Sequence, residues 1–124
     1  MKYLVILMIF LLLTSFKLEN ENNKSTIYII RPSVVGFAVK LKITENNREV
    51  GHLKANSYIK IDVNSGLTTI KNNFDKNKKL ELDVKPNQIY YIVNNIQPSL
   101  FNKKSEFILL SKEDGEKLLE KISK

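Results

Sequence analysis

The side chains able to do chemistry in this chain are few, and their spacing assembles no familiar reaction centre. Its 124 residues hold one histidine, His52, and no cysteine. A metal centre draws on several converging His, Cys or carboxylate ligands, so neither a metal nor another cofactor is expected. His52, Ser57 and Asp62 supply the residue types of a nucleophilic triad. No nucleophile elbow or glycine-rich oxyanion loop accompanies them, and a triad is defined by geometry rather than inventory. Paired carboxylates for glycoside chemistry would come from Glu81, Asp83 or Glu106, which alternate outward as a solvated strand face does. No phosphate loop or dinucleotide glycine pattern occurs. No catalytic residue is assigned.

Side chains suited to contact stand out better. Tyr58, Tyr90 and Tyr91 combine apolar bodies with polar tips, and the stretch from Asn94 to Lys104 places Leu100 and Phe101 among polar residues. Exposed apolar groups of this kind mark contact sites. Arg31 ends an apolar strand just before Pro32, so its five donors need partners, with a structural ion pair the first expectation. Arg31, Tyr58, Tyr90, Tyr91, Leu100 and Phe101 are the candidate partner-contact residues.

The elements that must position them are mostly strands. Thr26 to Arg31 is β-branched and aromatic on both faces, as in a strand covered on each side, and Pro32 ends it by removing a ladder donor. Phe37, Val39, Leu41 and Ile43 alternate with Ala38, Lys40, Lys42 and Thr44, which predicts a strand with one face in a core. Glu45 to Arg48 reads as a turn, and Glu49 to Lys54 as the returning arm of a hairpin. Ile59, Ile61 and Val63 alternate inward before the Asn64-Ser65-Gly66 turn, which predicts a second hairpin with Leu67 to Lys71. Leu80, Leu82 and Val84 alternate next, Pro86-Asn87 interrupts, Ile89 to Val93 is apolar on both faces, and Glu106 to Leu110 is the last predicted strand.

The tail changes period. Ser111 stands three residues before Asp114, and Leu118, Leu119 and Ile122 share one side of a helix predicted over 112–122, weakened by Gly115. Many short strands divided by Gly, Pro and Asn turns, with one terminal helix, argue for a mainly β fold. The expected form is an antiparallel β-sandwich of about seven or eight strands with a short C-terminal helix.

The first sixteen residues read differently. Lys2 gives a positive start and Tyr3 to Leu13 an unbroken apolar run, the layout of a secretory signal peptide over residues 1–16. Leu13-Thr14-Ser15 has the wording that precedes a lipid-bearing cysteine, but position 16 is Phe, so no lipid anchor is expected. An uncut signal anchor competes with cleavage, although the run falls short of the roughly 20 residues that span a bilayer. A polar, Asn-rich linker over 17–24 follows, and the domain is expected over 25–124, a length suited to one core. The location implied is extracytoplasmic, periplasmic or secreted, and membrane-tethered if the signal stays. Without cysteine the domain has no disulfides and rests on apolar burial.

The net charge of +7 raises nucleic acid as a partner, but lysine dominates, with Arg31 and Arg48 the only arginines. Base and phosphate recognition lean on the bidentate guanidinium, so no nucleic acid is expected. Scattered lysines solubilise a surface, and they also support a weak association with anionic membrane surfaces.

Tyr28-Ile-Ile-Arg31-Pro32, Val50-Gly51-His52-Leu53 leading to Asn56-Ser57-Tyr58, Gly66 before a strand, Tyr90-Tyr91 and the final helix together resemble a known family. It is the group of small bacterial envelope proteins gathered as domain of unknown function family 2846, and the resemblance covers Ser25 to about Lys121. It implies a prealbumin-like or carboxypeptidase-regulatory-like sandwich, often behind a lipoprotein signal, with no established activity. This chain departs from that pattern at the missing cysteine and at Leu67-Thr68.

The reading of function is an exported, non-catalytic β-sandwich module of the bacterial cell envelope with an envelope protein as partner. The alternative is a small extracytoplasmic hydrolase or carbohydrate-active protein, which requires a polar pocket around His52, Asp62 or Glu81.

Overall fold

In the computed structural model, which describes residues 24–98 and 102–124, eight strands form two four-stranded sheets and one helix closes the chain. The first sheet has the order β4-β1-β7-β8, built from β1 (Lys24–Arg31), β4 (Ser57–Asn64), β7 (Ile89–Gln97) and β8 (Lys104–Leu110). The second has the order β3-β2-β5-β6, from β2 (Leu41–Glu45), β3 (Arg48–Leu53), β5 (Gly66–Asn72) and β6 (Lys79–Val84). The expected signal segment and the linker up to residue 23 lie outside the described residues. Lys24 already belongs to β1.

The core lies between the sheets. Ile27, Ile29, Ile92 and Ile96 from the first sheet meet Leu41, Ile43, Ile70 and Val84 from the second, all buried. All but Leu41 are β-branched, which suits a pleated surface, and each buried side chain contributes about 1.5–3 kcal/mol. The sandwich therefore stands without disulfides.

One sequence expectation about pairing gives way. Strands β4 and β5 do not form a hairpin, because Gly66, at φ +118°, sends the chain from one sheet to the other. β4 pairs antiparallel with β1 instead, Ile29 opposite Ile59. β1 and β7 pair in parallel, Ile29 opposite Ile92, while the other strand pairs among the described residues are antiparallel, so the sandwich is mostly antiparallel, as expected. The Glu45–Arg48 turn does close a hairpin, with Asn46 and Asn47 both at positive φ.

The strand expected from Phe37 starts only at Leu41. Residues 32–40 leave the ladder as a loop, and Phe37 points into solvent rather than the core. Pro32 cannot donate to the sheet, and Gly36 takes φ +70° to turn the chain, with Val39 N–H donating to Gly36 O.

Helix α1 (Lys112–Ser123) begins as its cap predicts, Ser111 Oγ accepting from Asp114 N–H at 3.2 Å. It packs on the outer face of the first sheet against β7, β4 and β8. That cover explains why strands β1 and β7 are apolar on both faces: Ile30 and Val93, which point away from the core, are buried too. Gly115 is a packing requirement here, since a Cβ at that position would run into the Tyr91 ring.

Candidate functional site: an apolar loop held by a buried arginine

Four connections meet at one end of the sandwich. They are loop 32–40, loop 54–56, loop 73–78, and the described part of the β7–β8 connection, Pro98, Asn102 and Lys103. Among the described residues, the first of these carries the most exposed apolar side chains at that end: Val34 at 66%, Val35 at 53% and Phe37 at 81%.

Arg31 fixes that loop. Its side chain is fully buried at the end of β1. Nη1 donates to Val39 O at 2.6 Å and Leu53 O at 3.2 Å, while Nη2 donates to Gly36 O at 2.8 Å and Val35 O at 3.3 Å. Nε has no partner among the described residues. The expected ion pair is replaced by backbone carbonyls, three of them from the apolar loop. Burial draws the guanidinium pKa down from its ordinary value, and the four charge-assisted bonds offset that desolvation. Ser33 adds two ties, its Oγ accepting from Val35 N–H at 3.0 Å and its carbonyl from Asn56 N–H at 3.4 Å. A loop satisfied in this way presents Val34, Val35 and Phe37 in a set arrangement.

A buried polar cluster braces the neighbouring loop. Asn72 Nδ2 donates to Asn94 Oδ1 and Ser105 Oγ, both at 3.1 Å, and Asn72 Oδ1 accepts from Phe74 and Asp75 N–H. Asp75 Oδ2 accepts from Ser105 N–H at 2.9 Å, and Asn94 Nδ2 donates to Glu106 O at 3.0 Å. These bonds cross from β5 to β7 and β8, joining the two sheets where apolar side chains would otherwise have to meet. A cleft of about 500 Å³ opens beside the cluster, with Ser33, Val35, Lys78, Asn95, Lys104 and Glu106 among its lining.

The residues proposed from sequence are spread out. Tyr91 is buried under α1 and stacked on Tyr28, ring centres 5.4 Å apart and 8° from parallel. Tyr58 leans on Tyr28 from the other side at 5.9 Å and is partly exposed. Tyr90 points to the opposite face of β7, against the core, and its hydroxyl accepts from Lys85 N–H at 2.8 Å. Tyr90 and Tyr91 therefore share no surface. Leu100 and Phe101 lie outside the described residues. Arg31 touches the apolar loop, from beneath.

The polar residues weighed for chemistry are also apart. His52 lies on the second sheet, 3.6 Å from Glu49, while Asp62 lies on the first and accepts from Thr26 Oγ1. Ser57 Oγ donates to Lys54 O at 2.6 Å, and Glu81 and Asp83 pair with Lys79 and Lys85. Among the described residues no three His, Cys, Asp or Glu side chains gather as metal ligands would.

Val34, Val35, Phe37 and Tyr28 were not legible as surface groups. The signal that could have found the loop is its punctuation: Pro32 and Gly36 bracket an apolar pair inside what otherwise alternates.

A family described as Protein of unknown function (DUF2846) matches residues 21–106. No curated protein matches the chain. Among solved structures, the N-terminal domain of AlgF from P. aeruginosa is similar at 10% identity and a TM-score of 0.47, covering 72% of this chain and 95% of that one.

Proposed function

The chain belongs to this family of unknown function, DUF2846, and from that premise we propose that it is an exported, non-catalytic β-sandwich module that works by contact through its loop end. The observation that carries the reading is Phe37, 81% exposed on a loop whose carbonyls are held by a buried arginine. Exposed apolar side chains on a floppy loop would lose binding energy to ordering, and a loop fixed beforehand avoids that cost. The signal-like residues 1–16 support an extracytoplasmic setting. Lys24, where the N-terminal segment joins, lies at the end of β1 remote from the loop, so a tether there leaves the loop end open.

The contact reading is tested by replacing Phe37 with Ser in the producing cell and fractionating the envelope. Release of the variant into the soluble fraction, with Leu67→Ser at the opposite end retained, is the expected result. Equal behaviour of the two variants contradicts it. Mass spectrometry of the mature N-terminus separates a cleaved domain from a tethered one.

A further inference from the structure

The charge around the loop names the surface it fits. Lys40, Lys54, Lys76, Lys78, Lys103 and Lys104 all lie in or beside the four connections at that end, and none forms an ion pair among the described residues. Lys79, the first residue after loop 73–78, differs in pairing with Glu81, as Lys42 does with Glu49 and Lys85 with Asp83 away from this end. The carboxylate within these connections, Asp75, is buried and occupied by backbone N–H groups. Glu106, on the cleft rim, is the exposed acid nearby.

We propose that this end docks on an anionic phospholipid surface, Phe37, Val34 and Val35 entering the interface as a wedge while the six lysines meet the headgroups. The inference rests on the loop-end contact reading and specifies its partner. Three features distinguish lipid from a protein partner. Among the described residues, the most exposed apolar groups at this end stand on a single loop instead of spreading over a flat patch of the kind a protein interface buries. The cations surrounding them are all lysine, adequate as point charges for headgroups that need no bidentate recognition. Third, Val35, Gly36 and Val39 carbonyls, which would be costly to bring unpaired out of water, already accept from Arg31. The loop can leave water without orphaning them.

The chain contains no tryptophan, so a single introduced one reports its own site. Phe37→Trp is made in the full chain, with Leu67→Trp, 67% exposed at the opposite end, as its partner. Both are mixed with vesicles of phosphatidylcholine alone and with vesicles containing phosphatidylglycerol. The expected result is a blue-shifted emission at position 37 with phosphatidylglycerol vesicles, quenched by brominated acyl chains and reversed by salt, and no shift at position 67. Combining Phe37→Trp with Lys103→Glu and Lys104→Glu is expected to raise the half-saturating lipid concentration at least about tenfold. An unshifted position 37, a shift equal on uncharged vesicles, or a shift equal at position 67 overturns the proposal. Phe37→Ser still releasing the protein from the envelope while position 37 ignores lipid would sink the lipid surface and leave the contact reading standing.

Discussion

Arg31 Nη1 lies 2.6 Å from the carbonyl oxygen of Val39, eight residues along the chain, and this bond ties the end of β1 to the loop that follows it. The same guanidinium spans to Leu53 O on β3, so one buried cation connects both sheets and the most exposed apolar loop of the described end.

Replacing Arg31 with Met leaves four carbonyls short of a donor. Unpaired buried groups cost about 1–3 kcal/mol each, and partial rearrangement shares the penalty, so a loss of about 3–5 kcal/mol is expected in urea unfolding. Arg31→Lys keeps the charge but loses the planar fork, and an intermediate loss is expected. A near-neutral Arg31→Met would mean that the loop does not depend on this residue.

Phe37→Ser and Val34→Ser remove no buried contact. Their unfolding midpoints are expected to stay within about 0.5 kcal/mol of the parent, which separates any loss of binding from loss of fold.

Gly115→Ala is expected to reverse the ordinary helix rule. Alanine favours an isolated helix by about 0.5–1 kcal/mol, but here its methyl meets the Tyr91 ring, and overpacking costs about 1–3 kcal/mol. Net destabilisation in thermal melts, relieved when Tyr91→Ala is combined with it, is the expected pattern.

Asn72→Ala removes a side chain that both donates to and accepts from the cluster beneath loop 73–78. About 2–4 kcal/mol of stability is expected to go, with amide exchange accelerating first at Phe74, Asp75 and Ser105.

Burial, with Glu116 and Tyr28 adding, raises the Tyr91 pKa above its ordinary 10.0. A raised phenol pKa means the folded state holds the proton more tightly than the unfolded chain. Its contribution is complete below pH 10 and is lost as pH rises through the folded value. Tyr91→Phe is expected to show a shallower loss of stability above pH 10 than the parent in urea titrations.

Local order was well written in the sequence. The alternation of Ile59, Ile61 and Val63, the Asn46-Asn47 turn and the Ser111 cap each rest on neighbours a few residues apart, and each appears as its pattern predicts. What failed was set at long range. The passage of the chain between sheets at Gly66, where a β4–β5 hairpin was expected, depends on partners far along the chain. Phe37 continues the alternation of Leu41 and Ile43, yet the carbonyls around it are claimed by Arg31, which takes the loop out of any ladder. Arg31 itself could be recognised as a residue in need of partners. Which partners it has is decided by the fold.

The central claim is that the Arg31-held loop is the surface through which the protein makes contact. A photo-crosslinking residue placed at Phe37 in the producing cell tests it most directly, with Leu67 as the comparison site. The account predicts a specific adduct, lipid or protein, from position 37 and none from position 67. Irradiation that leaves position 37 unmodified, or modifies both positions alike, would contradict it.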